Sequence, residues 1–430
     1  MPIAPMDGIS SGRQNGNGSD LHPLAEERGG GMSVAVAGHV RARRPVFLSM
    51  GFRPFFLASA GWAAIALALW LAMLNGWLGL SSRFDPLAWH IHEMLFGFVL
   101  ATVGGFLLTA IPNWTGRTPV AGGWLTLLLG LWALGRIVCL GSRLLPAWLA
   151  TAADLAFVVA LGMVAAKELL AARNWRNLPV VGPLGLFAVA NLLMHLEAAG
   201  IAVPAGLGWR LGLIAALVLI SAIGGRIVPA FTRNWLTLRG QPALPAVRNR
   251  VDRAALGFLH AGLLAWALFP GLGAVGYLLI LAGALNFWRL ARWCGAATLS
   301  EPLLLILHVG YAWLAVGAAL LGFSMAGAFV PLSAAIHALT VGAIATMILA
   351  VMTRATRGHT GRALVADRPT VAIYLLITAA ALARLAAAWT VVAAMPLLLV
   401  SGALWIGAFS LFAIVYGRMM VHSPLPAAPP

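Results

Sequence analysis

Apolar residues in this chain gather into long runs, parted by short stretches rich in arginine, glycine and proline. About 20 consecutive apolar residues cross a bilayer as a helix. Twelve runs approach that length, near residues 54–75, 89–111, 122–140, 147–166, 180–199, 209–228, 253–269, 271–290, 302–322, 329–351, 370–389 and 395–416. The pattern predicts an all-α, polytopic membrane protein, a bundle of about twelve transmembrane helices. An even number returns both termini to one side. Basic residues crowd the loops on that side: Arg117, then Lys167, Arg173 and Arg176, then five arginines between Arg233 and Arg253, then Arg289 and Arg292, then four between Arg354 and Arg368. Only Arg83 and Arg143 sit clearly on the other side. Lys and Arg mark cytoplasmic loops, so both termini are predicted to be cytoplasmic.

Composition sharpens this picture. Of 430 residues, 61% are hydrophobic and 9% charged, far from the balance of a soluble domain. The formal net charge of +16 is scattered through short loops instead of gathered on one domain, which fits membrane orientation and not nucleic-acid binding. Residues 1–45, rich in Gly, Ser, Asn and Arg and without periodicity, read as a disordered cytoplasmic tail. No apolar signal-peptide core precedes Phe52. Residues 46–420 form the transmembrane domain and 421–430 a short C-terminal tail. The two cysteines, Cys139 and Cys294, offer neither a disulfide framework nor a CxxC site, so any metal is expected to lean on histidine.

Ionisable groups inside a bilayer are costly and usually have a task. Trp89-His90-Ile91-His92-Glu93-Met94 opens the second span. Each helical residue advances about 100°, so His90 and His92 diverge by about 200° and should serve two different partners. Glu93 and Met94 share the stripe of His90, and Phe96 shares that of His92. Depth sorts the remaining candidates. His90, His92, His195 and His337 share one outer level, with Glu93 and Glu197 beside them and Asp154 not far below. His260 falls near mid-membrane, His308 closer to the cytoplasm, and His359 in a cytoplasmic loop.

Imidazole is the common protein ligand of haem iron and copper, and a bundle interior can hold a flat cofactor between facing helices. The same groups would also serve a proton or ion pathway in a coupled permease, or plain hydrogen bonding between helices. Among the carboxylates Glu93 is the first choice for moving protons or orienting a ligating imidazole. Asp154 invites the same reading or that of an ion-pair partner, and Glu197 reads as an interfacial, solvated group. Arg384 is expected to snorkel outward or to pair with Asp154 or Glu93.

Gly224-Gly225-Arg226 to Trp235 closes the sixth span with small residues, a proline and two arginines. There Arg226 can answer a haem propionate or a lipid phosphate. The basic loop 353–362 invites the same two readings. Pro112 is expected to stop the second span. Most of the 17 tryptophans fall at predicted helix ends, as in an aromatic belt, and none is given a cofactor role. Two halves of six spans joined by a basic linker at 231–252 are conceivable, although no strong internal repeat appears.

Several blocks resemble the NnrS family in order along the chain: Phe52-Arg53-Pro54-Phe55-Phe56, WHIHEMLFGF at 89–98, GGFLLTAIPNWTG at 104–116, GGRIVPAFTRNW at 224–235, HVGYAWLAVG at 308–317 and HALTVGAIATMILAVMTRATRGHTGR at 337–362. The resemblance implies a bacterial inner-membrane protein of twelve helices that contains haem, of the b type, and copper, and that acts in the response to nitric oxide and in denitrification. Its motifs map onto His90, His92, Glu93, Arg226, His308, His337 and His359. On that basis metal ligation is expected from His90, His92, His308 and His337, cofactor contacts also from His195, His260 and Arg226, and proton handling from Glu93. Haem iron, with copper as a candidate second metal nearby, is pictured in the outer half, held by His90 or His92 with His337 and His195 or His260. Nitric oxide would arrive from the lipid and electrons from an unknown donor. The alternatives are a non-enzymatic binder of nitric oxide and a transporter.

Overall fold

The computed structural model describes residues 45–423, and the tails expected at 1–45 and 421–430 otherwise lie outside the described residues. Among the described residues, twelve helices are long and apolar enough to cross a membrane: α1 Phe52–Leu74, α2 Pro86–Thr115, α3 Gly123–Leu140, α4 Ala147–Ala171, α5 Leu178–Ala198, α6 Leu207–Thr237, α7 Arg250–Leu268, α8 Gly273–Ala291, α9 Pro302–Met325, α10 Leu332–His359, α11 Arg368–Trp389 and α12 Ala394–Val421. No strand occurs among the described residues. With no water in the hydrocarbon, helices that close their own hydrogen bonds are the natural element for such runs. Successive helices pack side by side and α12 closes on α1. The closure is hydrogen-bonded, since the buried Arg53 donates from Nη1 to the carbonyls of Met420 at 2.5 Å and His422 at 2.9 Å. Both described ends therefore share one end of the bundle.

Four helices are the most deeply buried. In α2 and α10, 78% of the apolar window is buried, and in α6 and α9 61%, whereas α1, α11 and α12 bury about a third. Three of these, α2, α6 and α10, stand four apart in the chain, and each is interrupted by a π-helical segment, at Glu93–Val99, Ile220–Gly224 and Ala338–Ala345. Such wide turns insert an extra residue into the ladder and re-aim side chains, and they concentrate at functional sites. The spacing of four, not a division into two halves of six, is the regularity the fold displays. Close helix contact elsewhere rests on glycine: a Cβ on Gly276 of α8 would fall 2.5 Å from the carbonyl oxygen of Gly322 in α9.

Two predicted stops are corrected. α2 runs through Pro112 to Thr115 and ends at Gly116, whose φ of 70° suits glycine. α6 runs through Gly224, Gly225 and Pro229 to Thr237, nine residues past its expected end, so the linker begins only after it. Inside a bundle, neighbouring helices and small local adjustments absorb the hydrogen bond that proline removes.

Candidate metal centre and cofactor cavity

The start of α2 is fixed from outside the helix. Asp85 caps it by accepting from the backbone N–H of Leu87 and Ala88, with Pro86 at the first helical position. His90, His92 and Glu93 follow within two turns, at the end of the bundle opposite the described chain ends, immediately before the π segment. The divergence expected of the two histidines is what the fold displays, and each enters its own site.

His92 enters a sealed polar cluster built with α3, α4 and α5. Its Nδ1 donates to Glu93 Oε1 at 3.0 Å, and its Nε2 lies 3.1 Å from both Asn191 Oδ1 and Asp154 Oδ2. His195 Nε2 donates to the same Asp154 oxygen at 3.1 Å, and Asn191 Nδ2 does so at 2.8 Å. Arg136 spans the two carboxylates, bonding Glu93 Oε2 at 2.7 Å through Nη1 and pairing with Asp154 through Nη2. The Trp62 indole donates to Glu93 Oε2 at 2.8 Å, and the Trp132 indole donates to the Gly97 carbonyl. Phe84 and Phe96 wall the His92 ring at centroid distances of 4.6 and 4.9 Å. Every charged member of the cluster is buried.

Space for this network is made by glycines. A Cβ on Gly135 would sit 2.5 Å from Asp154 Oδ1, and one on Gly97 would collide with the Trp62 indole. Both ring nitrogens of His92 face oxygen acceptors, the pattern of an imidazolium. Its charge and that of Arg136 then balance Glu93 and Asp154. A metal cation supplies the same balance, and the donors for one are at hand: ligand atoms of His92, Cys139, Asp154 and His195 all lie within 4.8 Å of one another. Two imidazoles and a thiol with one carboxylate oxygen suit copper or zinc better than a hard oxygen-seeking cation. Histidine supplies half of this donor set, as expected, and Cys139, buried near the end of α3, joins it unanticipated.

His90 turns the other way, into a cavity of about 490 Å³ enclosed by α1, α2, α6, α10, α11 and α12. That is within the usual range of small-molecule and cofactor sites, roughly 300–1,000 Å³. The ring stacks on Trp70 at a centroid distance of 4.2 Å, and its buried Nδ1 has no hydrogen-bond partner. His337 joins it from α10. Its Nδ1–H donates to the Ser333 carbonyl at 2.7 Å, which leaves the lone pair on Nε2. Arg384 donates to Ser333 Oγ at 3.0 Å and is the one cation in a lining of Leu, Ile, Val, Trp, Phe and Met. Met94 lines the same cavity, as its shared stripe with His90 predicts. Trp70, Trp209 and Trp405 are also wall residues, so the reading of tryptophan as belt alone is corrected.

The other predicted residues lie apart. Arg384 pairs with neither Asp154 nor Glu93, the role Arg136 fills. His260 of α7 bonds Ser221 Oγ of α6 at 2.8 Å, and His308 of α9 bonds Thr232 Oγ1 at 2.9 Å, each joining two helices away from both sites. Glu197 accepts from the Gly206 backbone N–H, in keeping with a loop-facing role. Arg226 lies 13 residues beyond the cavity wall residue Leu213 in α6, about 20 Å further along at ~1.5 Å per residue. It and His359 line a different cavity. The histidines expected at one level fall into two groups, His92 with His195 and His90 with His337, and His260 joins neither.

No curated protein sequence matches this chain. A family model does, over residues 46–423: the chain belongs to the NnrS protein family.

Proposed function

We propose that this NnrS-family membrane protein holds haem in the cavity of His90 and His337 and copper in the cluster of His92, His195, Cys139 and Asp154, and that it captures nitric oxide between lipid and metal in the bacterial inner membrane. The observation that carries this reading is the splitting of adjacent α2 histidines into one roomy apolar site and one sealed polar site at the same level. Both fit the groups assigned to them. His90 has an imidazole nitrogen without a partner, His337 is held in the tautomer that frees Nε2, and Arg384 supplies a cation for an acidic edge. Cys139 and two imidazoles give the polar site the soft donors copper prefers.

When bound, haem iron supplies a coordination position for a diatomic gas in low-dielectric surroundings, and copper supplies a one-electron centre. The chain's own residues do the rest. Trp70 stacks on His90 and fixes the plane of its ring. Leu95, Phe98, Val341, Ile344 and Trp405 keep water from the cavity while leaving it permeable to a small apolar gas. If the gas is reduced, Glu93 exchanges a proton with His92, whose Nδ1 faces its Oε1, while Arg136 and Trp62 hold its Oε2. Asp154 accepts from His195 and His92 and so orients both rings.

Optical spectra and metal assays of the detergent-purified protein test the assignment. His90→Ala and His337→Ala should abolish the Soret band, while His92→Ala and Cys139→Ala should lose copper and keep haem. Full metal content in all four variants would refute it. Steady consumption of nitric oxide with an electron donor marks an enzyme, and stoichiometric binding marks a carrier or sensor. Solute flux into liposomes from haem-free protein would favour the permease reading instead.

A further inference from the structure

The two constrained basic stretches of the sequence, 224–235 and 353–362, meet at a second cavity, also of about 490 Å³, at the end of the bundle that carries the described chain ends. Its inner wall is apolar, made by Phe56, Phe106, Ile223, Leu307 and Val351. Toward the bundle end it is lined by Arg226, Arg354 and His359, and no Asp or Glu lines it among the described residues. Arg354 sits 4.4 Å from the centroid of Phe231, and neither it nor Arg226 joins any ion pair among the described residues. Arg226 reaches only neutral acceptors, Asn177 Oδ1 at 3.1 Å and the Ala222 carbonyl at 3.4 Å. Arg176 and Arg248 lie near it and add to the same positive field.

Depth narrows the ligand. At ~1.5 Å per residue, Arg226 and Arg354 stand roughly 30 Å along their helices from Leu207 and Leu332, about one hydrocarbon thickness. The guanidinium groups therefore lie where acyl chains give way to head groups, and the apolar wall lies on the hydrocarbon side of them. Glu301 lies near enough to Arg354 to offset part of its charge without pairing with it, but no acid among the described residues does so for Arg226, so a neutral head group would leave the positive field uncompensated, and a free anion would leave the apolar wall wet. Basic pockets between transmembrane helices characteristically bind anionic lipid head groups.

We propose that this cavity is a site for one anionic phospholipid, with its phosphate between Arg226 and Arg354 and an acyl chain along Ile223, Leu307 and Val351. Bound there, the lipid ties α6 to α10, two of the three helices that carry a π segment, at the end remote from the His90 and His92 sites. This assignment does not depend on which metals those sites hold.

The test is delipidation of the full-length protein followed by native mass spectrometry with phosphatidylglycerol, phosphatidylcholine or inorganic phosphate. One phosphatidylglycerol should rebind, and phosphatidylcholine and phosphate should not compete. Arg226→Gln with Arg354→Gln should weaken phosphatidylglycerol roughly tenfold or more, while the double Lys variant keeps most of the binding. Should the double Gln variant fail to fold, judged by loss of helical circular dichroism, Val351→Trp serves in its place. It fills the apolar wall, leaves both cations intact and should also expel the lipid. Equal retention of phosphatidylcholine, displacement by phosphate alone, undiminished binding in the variants, or loss of a tetrapyrrole instead of a lipid would each overturn the proposal.

Discussion

His90 and His92 stand two residues apart on one helix, and their surroundings could hardly differ more. Around His92 every charge is matched: Arg136 answers both Glu93 and Asp154, and Asn191 and His195 complete the second carboxylate. Around His90 there is open apolar space, a nitrogen without a partner, and a single arginine bonded to a serine. In a bilayer a polar group must either be satisfied by the protein or be left for a ligand. The cluster takes the first course at every group but Arg136 Nε, which has no partner, and gains rigidity, and the cavity takes the second and gains a place for something large. One helix manages both because two residues of α-helix turn a side chain by about 200°.

The contrast is most exposed at its two arginines. Arg136→Leu leaves two buried carboxylates facing each other, and breaking a buried ion network in this way costs about 3–5 kcal/mol. A sharp fall in yield and in thermal midpoint in detergent is expected, partly restored when Glu93→Gln and Asp154→Asn are added. Arg384→Leu should change stability by less than about 1 kcal/mol, because its partner is one serine hydroxyl. A midpoint as low in the Arg384 variant as in the Arg136 variant would erase the distinction.

Gly135→Ala sharpens the comparison without removing any charge. The added methyl would sit 2.5 Å from Asp154 Oδ1, so the carboxylate or α3 must move, at a cost of about 1–3 kcal/mol. Copper content should fall while the Soret band stays. Loss of both together would mean that the two sites are one cooperative unit. His90→Ala should do the reverse: a ring beside an existing cavity leaves little new void, so about 1 kcal/mol or less is lost with the Soret absorbance. Equilibrium unfolding of the cofactor-free proteins separates these two effects from ligand loss.

Much of this arrangement was readable from residue order. The twelve spans, the opposite bearings of His90 and His92, the stripe that places Met94 with His90 and Phe96 with His92, and the common level of His195 and His337 follow from helix period and span length. What stayed hidden is lateral: which leucine-rich helix lies beside which. Nothing in residue order sets Arg136 above Arg384 or gives the unpaired Cys139 a partner, because only packing brings α3 against α2 and α4. The interior tryptophans were hidden likewise, since Trp62, Trp70 and Trp405 sit in runs whose belt and core positions look alike. At Pro112 and Pro229 the stop expected of a soluble helix does not occur, because neighbouring helices absorb the hydrogen bond that proline removes.

The smallest expected effect comes from an ion pair that is not sealed, and it calibrates the rest. Arg357 Nη2 bonds Asp367 Oδ2 at 2.5 Å just before α11, and Asp367 caps that helix by accepting from the Thr370 backbone N–H and hydroxyl. Burial alone would raise the Asp367 carboxyl. The Thr370 donors and Arg357 outweigh it and hold the group below its ordinary value of 3.8. A depressed carboxyl stabilises the fold above its unfolded value, and that contribution fades as pH falls through the folded one. The loss should thus appear below about pH 4 and be missing in Asp367→Asn. Because the Asp367 side chain is 45% exposed, solvent screening keeps the effect under about 1 kcal/mol. Measured as the acid limb of thermal stability, it should be several-fold smaller than the Arg136→Leu loss. If the half-exposed pair proved as costly to break as the sealed one, burial would not be what separates the cluster from an ordinary surface bridge.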